Sequence, residues 1–567
     1  MKTTVKKYLL LVLALIVVIA AFSGCGTTPV TTQTTATTTG ETTTAGPTTI
    51  STEEQLTFSI WLYATPNDYY STYSENPIVQ YLNKKFNVIL EFQQPAAGTE
   101  QEALSLMMGS GQYTDMIETS YYTGSINSLY QEGVIMDLKD QVQSSMPNLM
   151  NLINSDPTFK RNIYNDDGQL LKLLTLSKND QMAWGGLVYR KDILATMTGG
   201  NIAFPSGKDV PTTIADWEYM LPLYKTYFEA SGMAEYAPLI IPAVGYFATG
   251  ELVSGFGVSP SFDVKNGQVE FGPTQPGFYN YLKKMKEWYD AGYIYKDFAS
   301  RTNDLFYLPN TSLTYGAAAG IWFGLSSQLG DVMSMPQYNL MVDVQAMPSP
   351  LDTANNITEA PYRNSFSRYP TTGYVVTTKT KHVERLLQAL DFLYAEENAS
   401  MSGIGLTAEQ VAEINNQLYI KNGLEAGAYS VDAGGKILRN ALLLTGGALA
   451  SNAEPFMNNR LPGYRNDKAD NDNIDEDIAN GDKIWKTYDD SKNMNLFMTR
   501  TAAEDAVFTE KWPAINDYLN TMVPGFITGS QPLDDTSWAA FVAQLQAYGC
   551  DELTQISQAT YDRYQSR

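Results

Sequence analysis

Side chains that could do chemistry are few in this chain, and their types exclude more than they offer. There is one histidine, His382, and there are two cysteines, Cys25 and Cys550. Histidine-rich zinc sites, His-x-x-x-His helices and most triads need more imidazole than one residue supplies. His382 stands ahead of Val383, Leu386, Leu387, Leu390, Leu393 and Tyr394, which keep a helical period, so it reads as a solvated residue at a helix start. No Gly-x-x-x-x-Gly-Lys-Ser/Thr segment is present, which removes nucleotide hydrolysis by that route. The acidic run 466–482 (NDKADNDNIDEDIANGD) puts Ile474 where a calcium loop needs an oxygen ligand. It reads as a solvated segment, and neither a metal nor a cofactor is expected. The carboxylate pair of a glycoside hydrolase needs no histidine, so an acidic chain leaves that chemistry open. Cys550 lies in a helical C-terminal stretch and reads as a small packing residue.

Cys25 has a different setting. Lys2, Lys6 and Lys7 precede an unbroken apolar run from Tyr8 to Phe22, and Ser23, Gly24 and Cys25 follow. A charged start, a short apolar core and small residues have the layout of a secretory signal, and the run is short for a membrane span of roughly 20 residues. From Gly26 to Glu53 the chain is nearly all Thr, with Gly, Pro and Ala, and has no apolar period that could build a core. It reads as a flexible tether with an end-to-end distance of about 30 Å. The 514 residues beyond it are too many for a single core, so two or more lobes are expected. Once the three signal lysines are removed, 35 basic side chains face 61 acidic ones, a charge of −26. Nucleic acid and anionic lipid surfaces are therefore not expected partners.

The elements that must position any site follow in order. Leu56 to Tyr63 (LTFSIWLY) alternates as a buried first strand. Asn76-Pro77 caps a helix with Ile78, Leu82 and Phe86 on one face, and 87–93 (NVILEFQ) returns as a strand. Thr99 with Glu102 forms a capping box before a helix that stops at Gly109, and 115–119 (DMIET) is a third strand. Strand, helix, strand, helix, strand is a right-handed parallel α/β unit whose ligand edge lies beyond the strand C-termini. Those ends are marked by Tyr63-Ala64-Thr65-Pro66 and Ser120-Tyr121-Tyr122.

Several segments resemble known families. Phe22-Ser23-Gly24-Cys25 is similar to the lipobox of bacterial lipoproteins, with Phe for the usual Leu. The resemblance implies cleavage before Cys25 and lipidation of it, giving a signal over 1–24 and a tether over 25–53. The run 109–117 (GSGQYTDMI) resembles the Ser-Gly-x-x-Pro-Asp segment of extracellular solute-binding proteins of carbohydrate ABC transporters, with Thr114 for Pro. Further pieces of that family follow in order: 129–138 (LYQEGVIMDL), Pro147-Asn148-Leu149, Arg190-Lys191-Asp192, Pro211 to Trp217 with Asp216 for Glu, and Trp288 to Ile294. Phe526-Ile527-Thr528-Gly529, Trp538, Gly549 and 559–564 (ATYDRY) resemble its long, lipoprotein-like branch. The resemblance implies a two-lobed, Venus-flytrap α/β fold of the periplasmic-binding-protein kind. Lobe 1 would take 54–186 plus about 373–444, and lobe 2 would take 187–372 plus about 445–567, with crossings near Leu187, Gly373 and Leu444. It further implies a monomeric receptor, not an enzyme, tethered outside the cell by its lipid alone. Such a receptor hands a saccharide to permease subunits served by a separate ATPase. A surface glycan-degrading hydrolase and a peptide or other-solute receptor on the same fold are the alternatives.

Sugars present hydroxyls for hydrogen bonds and C–H faces that lie on aromatic rings, so their sites mix Trp or Tyr with charged and amide side chains. Aromatics on a helical period, such as Trp288 and Trp538, read as core. Those where the pattern breaks are the candidates: Tyr63, Tyr121 and Tyr122 after the first-lobe strands, and Trp184 before Gly185-Gly186. Trp322 and Phe323 follow the small-residue stretch 316–320, and Arg368 and Tyr369 precede the second crossing. Packing competes with ligand contact at each of them.

Overall fold

In the computed structural model the first sheet grows out of the alternation in Leu56–Trp61, strand β1. Phe58, Ile60 and Leu62 enter one apolar core, while Trp61 enters a smaller cluster with Ile117 and Val375 on the other face. Residues 54–567 are described, apart from 181, 234, 242–251, 301–317, 332–333, 335–340, 362–368, 370–371, 445–451, 458, 470–474, 487–493 and 495–496. β1 pairs in parallel with β2 (Val88–Gln93) on one side and with β3 (Met116–Glu118) on the other. The helix Pro77–Phe86 joins β1 to β2, and the Asn76 side chain accepts from the N–H groups of Ile78 and Val79, which would otherwise lack partners. The expected capping box at Thr99 does not form. Its hydroxyl donates to the Ala96 carbonyl instead, and the Glu100 carboxylate accepts from the Gly98 N–H. That helix runs on to Ser110 and ends at Gly111, whose φ of +68° suits glycine.

The chain then builds β4 (Leu173–Leu174) and β5 (Leu176–Ser177), and a second sheet begins with β6 (Gly185–Arg190). β7 (Ala237–Leu239), the hairpin β8 (Phe262–Lys265) and β9 (Gln268–Phe271), β10 (Ala319–Leu325) and β11 (Val344–Ala346) follow. β12 (Gly373–Val376) returns to the first sheet, antiparallel to both β3 and β4. A hairpin of β13 (Tyr429–Val431) and β14 (Ile437–Arg439) precedes β15 (Tyr464–Arg465). The sheets have the orders β2-β1-β3-β12-β4 and β11-β6-β10-β7, each with its own core. In the second core Trp217 and Trp288 stack at 5.9 Å. Trp217 is placed by a capping box in which Thr213 and buried Asp216 hold each other's backbone.

Two passages between the cores run side by side. β5 pairs in parallel with β15, and the Lys178 N–H donates to the Arg465 carbonyl at 2.7 Å. Beyond this point Ala183 donates to Asp482 on the helix Glu476–Trp485, and that helix lays Trp485 against Gly186, where any Cβ would collide with the indole. The third crossing expected near Leu444 is therefore displaced past Arg465. Leu443, Ala453, Phe456, Leu461 and Tyr464 all belong to the first core. The C-terminal helix Cys550–Ser566 spans both cores, with buried Cys550 and Leu553 in the second and Tyr564 in the first. Tyr564 donates to Asn162 at 2.6 Å, and Arg563 and Arg567 both bind Asp166. His382 is exposed at the N-cap of Val383–Asp391. No described helix is long and apolar enough to cross a membrane.

Candidate functional site

The C-terminal ends of parallel β1 and β3 lie next to each other, and the residues that follow them form an aromatic rim. Tyr63 and Tyr121 meet edge to face at 5.8 Å, and Trp61 supports Tyr121 from below at 6.3 Å. Both tyrosines are partly exposed. The turn that carries Tyr121 is held by Glu118, which is 1% exposed. One oxygen of its carboxylate accepts from the Ser120 N–H at 3.0 Å and from the Ser120 hydroxyl. The other oxygen has no hydrogen-bond partner among the described residues. Thr119 ties the same turn to the Gly373 carbonyl at the start of β12. Beside Tyr121, a shallow depression of about 530 Å³ is lined by Gly98, Glu100, Gln101, Glu102 and Ser105.

Arg460 lies at the same edge. Its N–H donates to the Tyr73 hydroxyl at 2.6 Å, and its carbonyl accepts from the Tyr374 hydroxyl at 2.7 Å. Tyr70 stands at 6.5 Å from Tyr73 and accepts from Asn76. Burial pushes the hydroxyl pKa of Tyr121 above its ordinary value, Glu100, Tyr63 and Glu118 add to this, and Arg460 opposes it. The Tyr121 hydroxyl thus keeps its proton as a donor, suited to hydroxyl or carboxylate oxygens.

A second concavity, of about 560 Å³, opens between the cores. Thr123, Asn127 and Tyr164 line it from the first, and Phe262, Arg500 and Phe508 from the second sheet's side, with Arg500 lying 3.9 Å over the Phe508 ring. Lys172 also borders it, and burial lowers the pKa of that ammonium. The loop 119–125 reaches both concavities.

The other sequence candidates separate into distinct places. Trp184 is 40% exposed at the start of β6, where the chain enters the second core, and its ring lies 5.8 Å from Phe323. Trp322 and Phe323 are not on a loop. They are consecutive residues of β10, each at most 2% exposed, and the Trp322 indole N–H donates to Gln328 at 3.2 Å. Their neighbourhood of small residues lets strands pack closely, which is a requirement of the sheet and not of a ligand. Tyr122 packs into the cluster beneath the rim, and Tyr369 binds Asp156 with its hydroxyl. Arg368 and Cys25 lie outside the described residues. Partly exposed Tyr70 and Arg460, and Glu118, Tyr73 and Tyr374 buried beneath the rim, are residues that sequence reasoning passed over. Arg460 had one available signal, its place before Leu461-Pro462-Gly463, a turn-forming stretch. Among the described residues no group of three or more His, Cys, Asp or Glu is arranged to hold a metal.

Two α/β cores joined by several passes of the chain, with an aromatic and polar rim at the strand ends, define a two-lobed solute-binding protein. The family of bacterial extracellular solute-binding proteins matches residues 70–400, more than half of the chain, and the chain belongs to that family. It is a binding protein and not an enzyme. No curated protein matches it in sequence. Among solved structures it is similar to an HMO-binding, ABC-transporter-associated solute-binding protein from Bifidobacterium longum infantis. The identity is 16% and the TM-score 0.71, over 90% of this chain and 99% of that one. It is also similar to the S. pneumoniae substrate-binding protein FusA in complex with kestose, at 18% identity and TM-score 0.65, over 90% and 99%. The alginate-binding protein AlgQ2 gives 17% identity and TM-score 0.63, over 90% and 99%.

Proposed function

We propose that this chain is a lipid-anchored extracellular receptor that captures a saccharide between its lobes and delivers it to the permease of an ABC importer. The observation that carries the reading is the rim at the ends of β1 and β3. There the partly exposed rings of Tyr63 and Tyr121 offer faces to sugar C–H groups, beside the Tyr121 hydroxyl and the partly exposed Arg460, which can hydrogen-bond a ligand. The similar structures, an HMO-binding protein, an alginate-binding protein and a complex with kestose, point to the same ligand class. The anchoring rests on the lipobox-like residues ending in Cys25. A diacylated cysteine has two chains at roughly 0.8 kcal/mol per buried methylene, enough for stable attachment. A ligand that touches both lobes binds the closed state better than the open one, and that difference drives closure.

Thermal shift and titration calorimetry against an oligosaccharide library test the reading. A bound saccharide raises the melting temperature by mass action, is recovered unchanged, and reduces the radius seen by small-angle scattering. Release of new reducing ends would instead identify a hydrolase.

A further inference from the structure

Arg460 is set in place by the core and yet its charge is left uncommitted. Its backbone is gripped by Tyr73 on one side and Tyr374 on the other, both 2% exposed, so the side chain is not needed to hold the loop. The guanidinium is partly exposed. Among the described residues it has neither a carboxylate within ion-pair distance nor a hydrogen-bond acceptor, whereas each of the other described arginines donates to one. Arg190 has Asp192, Arg500 has Asp505, Arg563 and Arg567 have Asp166, and Arg161, Arg385, Arg439 and Arg465 have a Gln565 oxygen or backbone carbonyls. Four of the nine described arginines bind a carboxylate and four donate to neutral oxygens, so Arg460 differs from the rest in having neither.

Its surroundings sharpen the point. Burial raises the pKa of the Tyr70, Tyr73, Tyr121 and Tyr374 hydroxyls, and Arg460 lies near enough to all four to oppose the rise. Arg465, beyond Tyr374, donates to the Leu461 carbonyl while its Nε is buried without a partner. The negative groups near this ring are Glu100 beside Tyr121, buried Glu118, one of whose oxygens is engaged by Ser120, and exposed Glu454. A neutral sugar hydroxyl would satisfy Arg460 one donor at a time and leave its charge uncompensated once closure removed water. The planar fork of a guanidinium matches two oxygens of a carboxylate at once.

We infer that the saccharide is acidic and that Arg460 receives its carboxylate, as carried by a uronic or a sialic acid, while Tyr121 and Tyr63 cover a ring face. This rests on the saccharide reading above. The test is calorimetry of the full mature chain with oligouronates, with sialylated oligosaccharides, and with the methyl esters of the same compounds, which keep the shape and remove the charge. The expected result is that one acid class binds roughly tenfold or more tightly than its ester. Arg460→Gln should bring that ratio to about one by weakening the acid more than the ester, with the melting temperature of the free protein unchanged. An ester that binds as tightly as its acid, or an acid preference that survives in Arg460→Gln, overturns the assignment and leaves the saccharide reading intact. If neutral oligosaccharides also fail to bind, the saccharide reading falls and this inference falls with it.

Discussion

Replacing Trp322 by alanine separates a core residue from a ligand residue with a single variant. The indole is 1% exposed on β10 and packs among Val188, Val344 and Trp485. The fit is close, since a methyl added at Gly324 would sit 3.1 Å from the indole nitrogen. A buried tryptophan removes about 200 Å² of surface from water, which at about 25 cal/mol per Å² gives an upper figure near 5 kcal/mol. Large-to-small core substitutions of this type cost about 3–5 kcal/mol. The lost hydrogen bond adds little, because Gln328 still accepts from the Leu325 N–H at 3.0 Å. For a lobe of this size each kcal/mol moves the melting temperature by about 2–4 °C, so Trp322→Ala should melt roughly 6–20 °C lower in calorimetry. Saccharide affinity measured well below that transition should change by less than about threefold, because the side chain touches strands and not the rim. A variant that melts like the parent and has lost its ligand would refute the reasoning and return Trp322 to the binding surface.

Tyr121→Ala should do the opposite, weakening saccharide binding by about 1–3 kcal/mol in calorimetry while leaving thermal stability of the free protein nearly unchanged. Cys25→Ala should release the protein into the medium and abolish palmitate labelling; a variant still found in the membrane fraction would count against lipidation there. Acid stability should depend on Glu504. Burial alone would raise its pKa, but the hydrogen bonds from Arg563, at 2.8 Å for Nη1, outweigh it and hold the carboxyl below its ordinary value of 4.5. A depressed folded-state pKa means stabilisation that is fully present above pH 4.5 and fades as pH falls through the lower folded value. Urea melts from pH 6 to pH 3 should show that component in the parent and lose it in Glu504→Gln.

What the sequence determined by itself was local in origin. The alternation in Leu56–Trp61, the Asn76-Pro77 cap and the helical period after His382 depend on neighbours within a few residues, and each stands in the structure where the pattern puts it. Thr99 shows the limit of such reasoning: a capping box with Glu102 was available in the letters, but the Thr99 hydroxyl donates to the Ala96 carbonyl instead. Tertiary structure alone decided which aromatics face outward. Trp322 follows a small-residue stretch and Trp184 precedes Gly185-Gly186, yet one lies buried within a strand and the other at a strand's exposed beginning. It also decided that Leu443 and the described residues from Ala453 to Tyr464 stay with the first core, because pairing of β15 with β5 is a contact across nearly three hundred residues with no local trace. Arg460 became a candidate only through that placement, since its lack of an ion-pair partner among the described residues is a property of the space around it and not of the residues beside it in the chain.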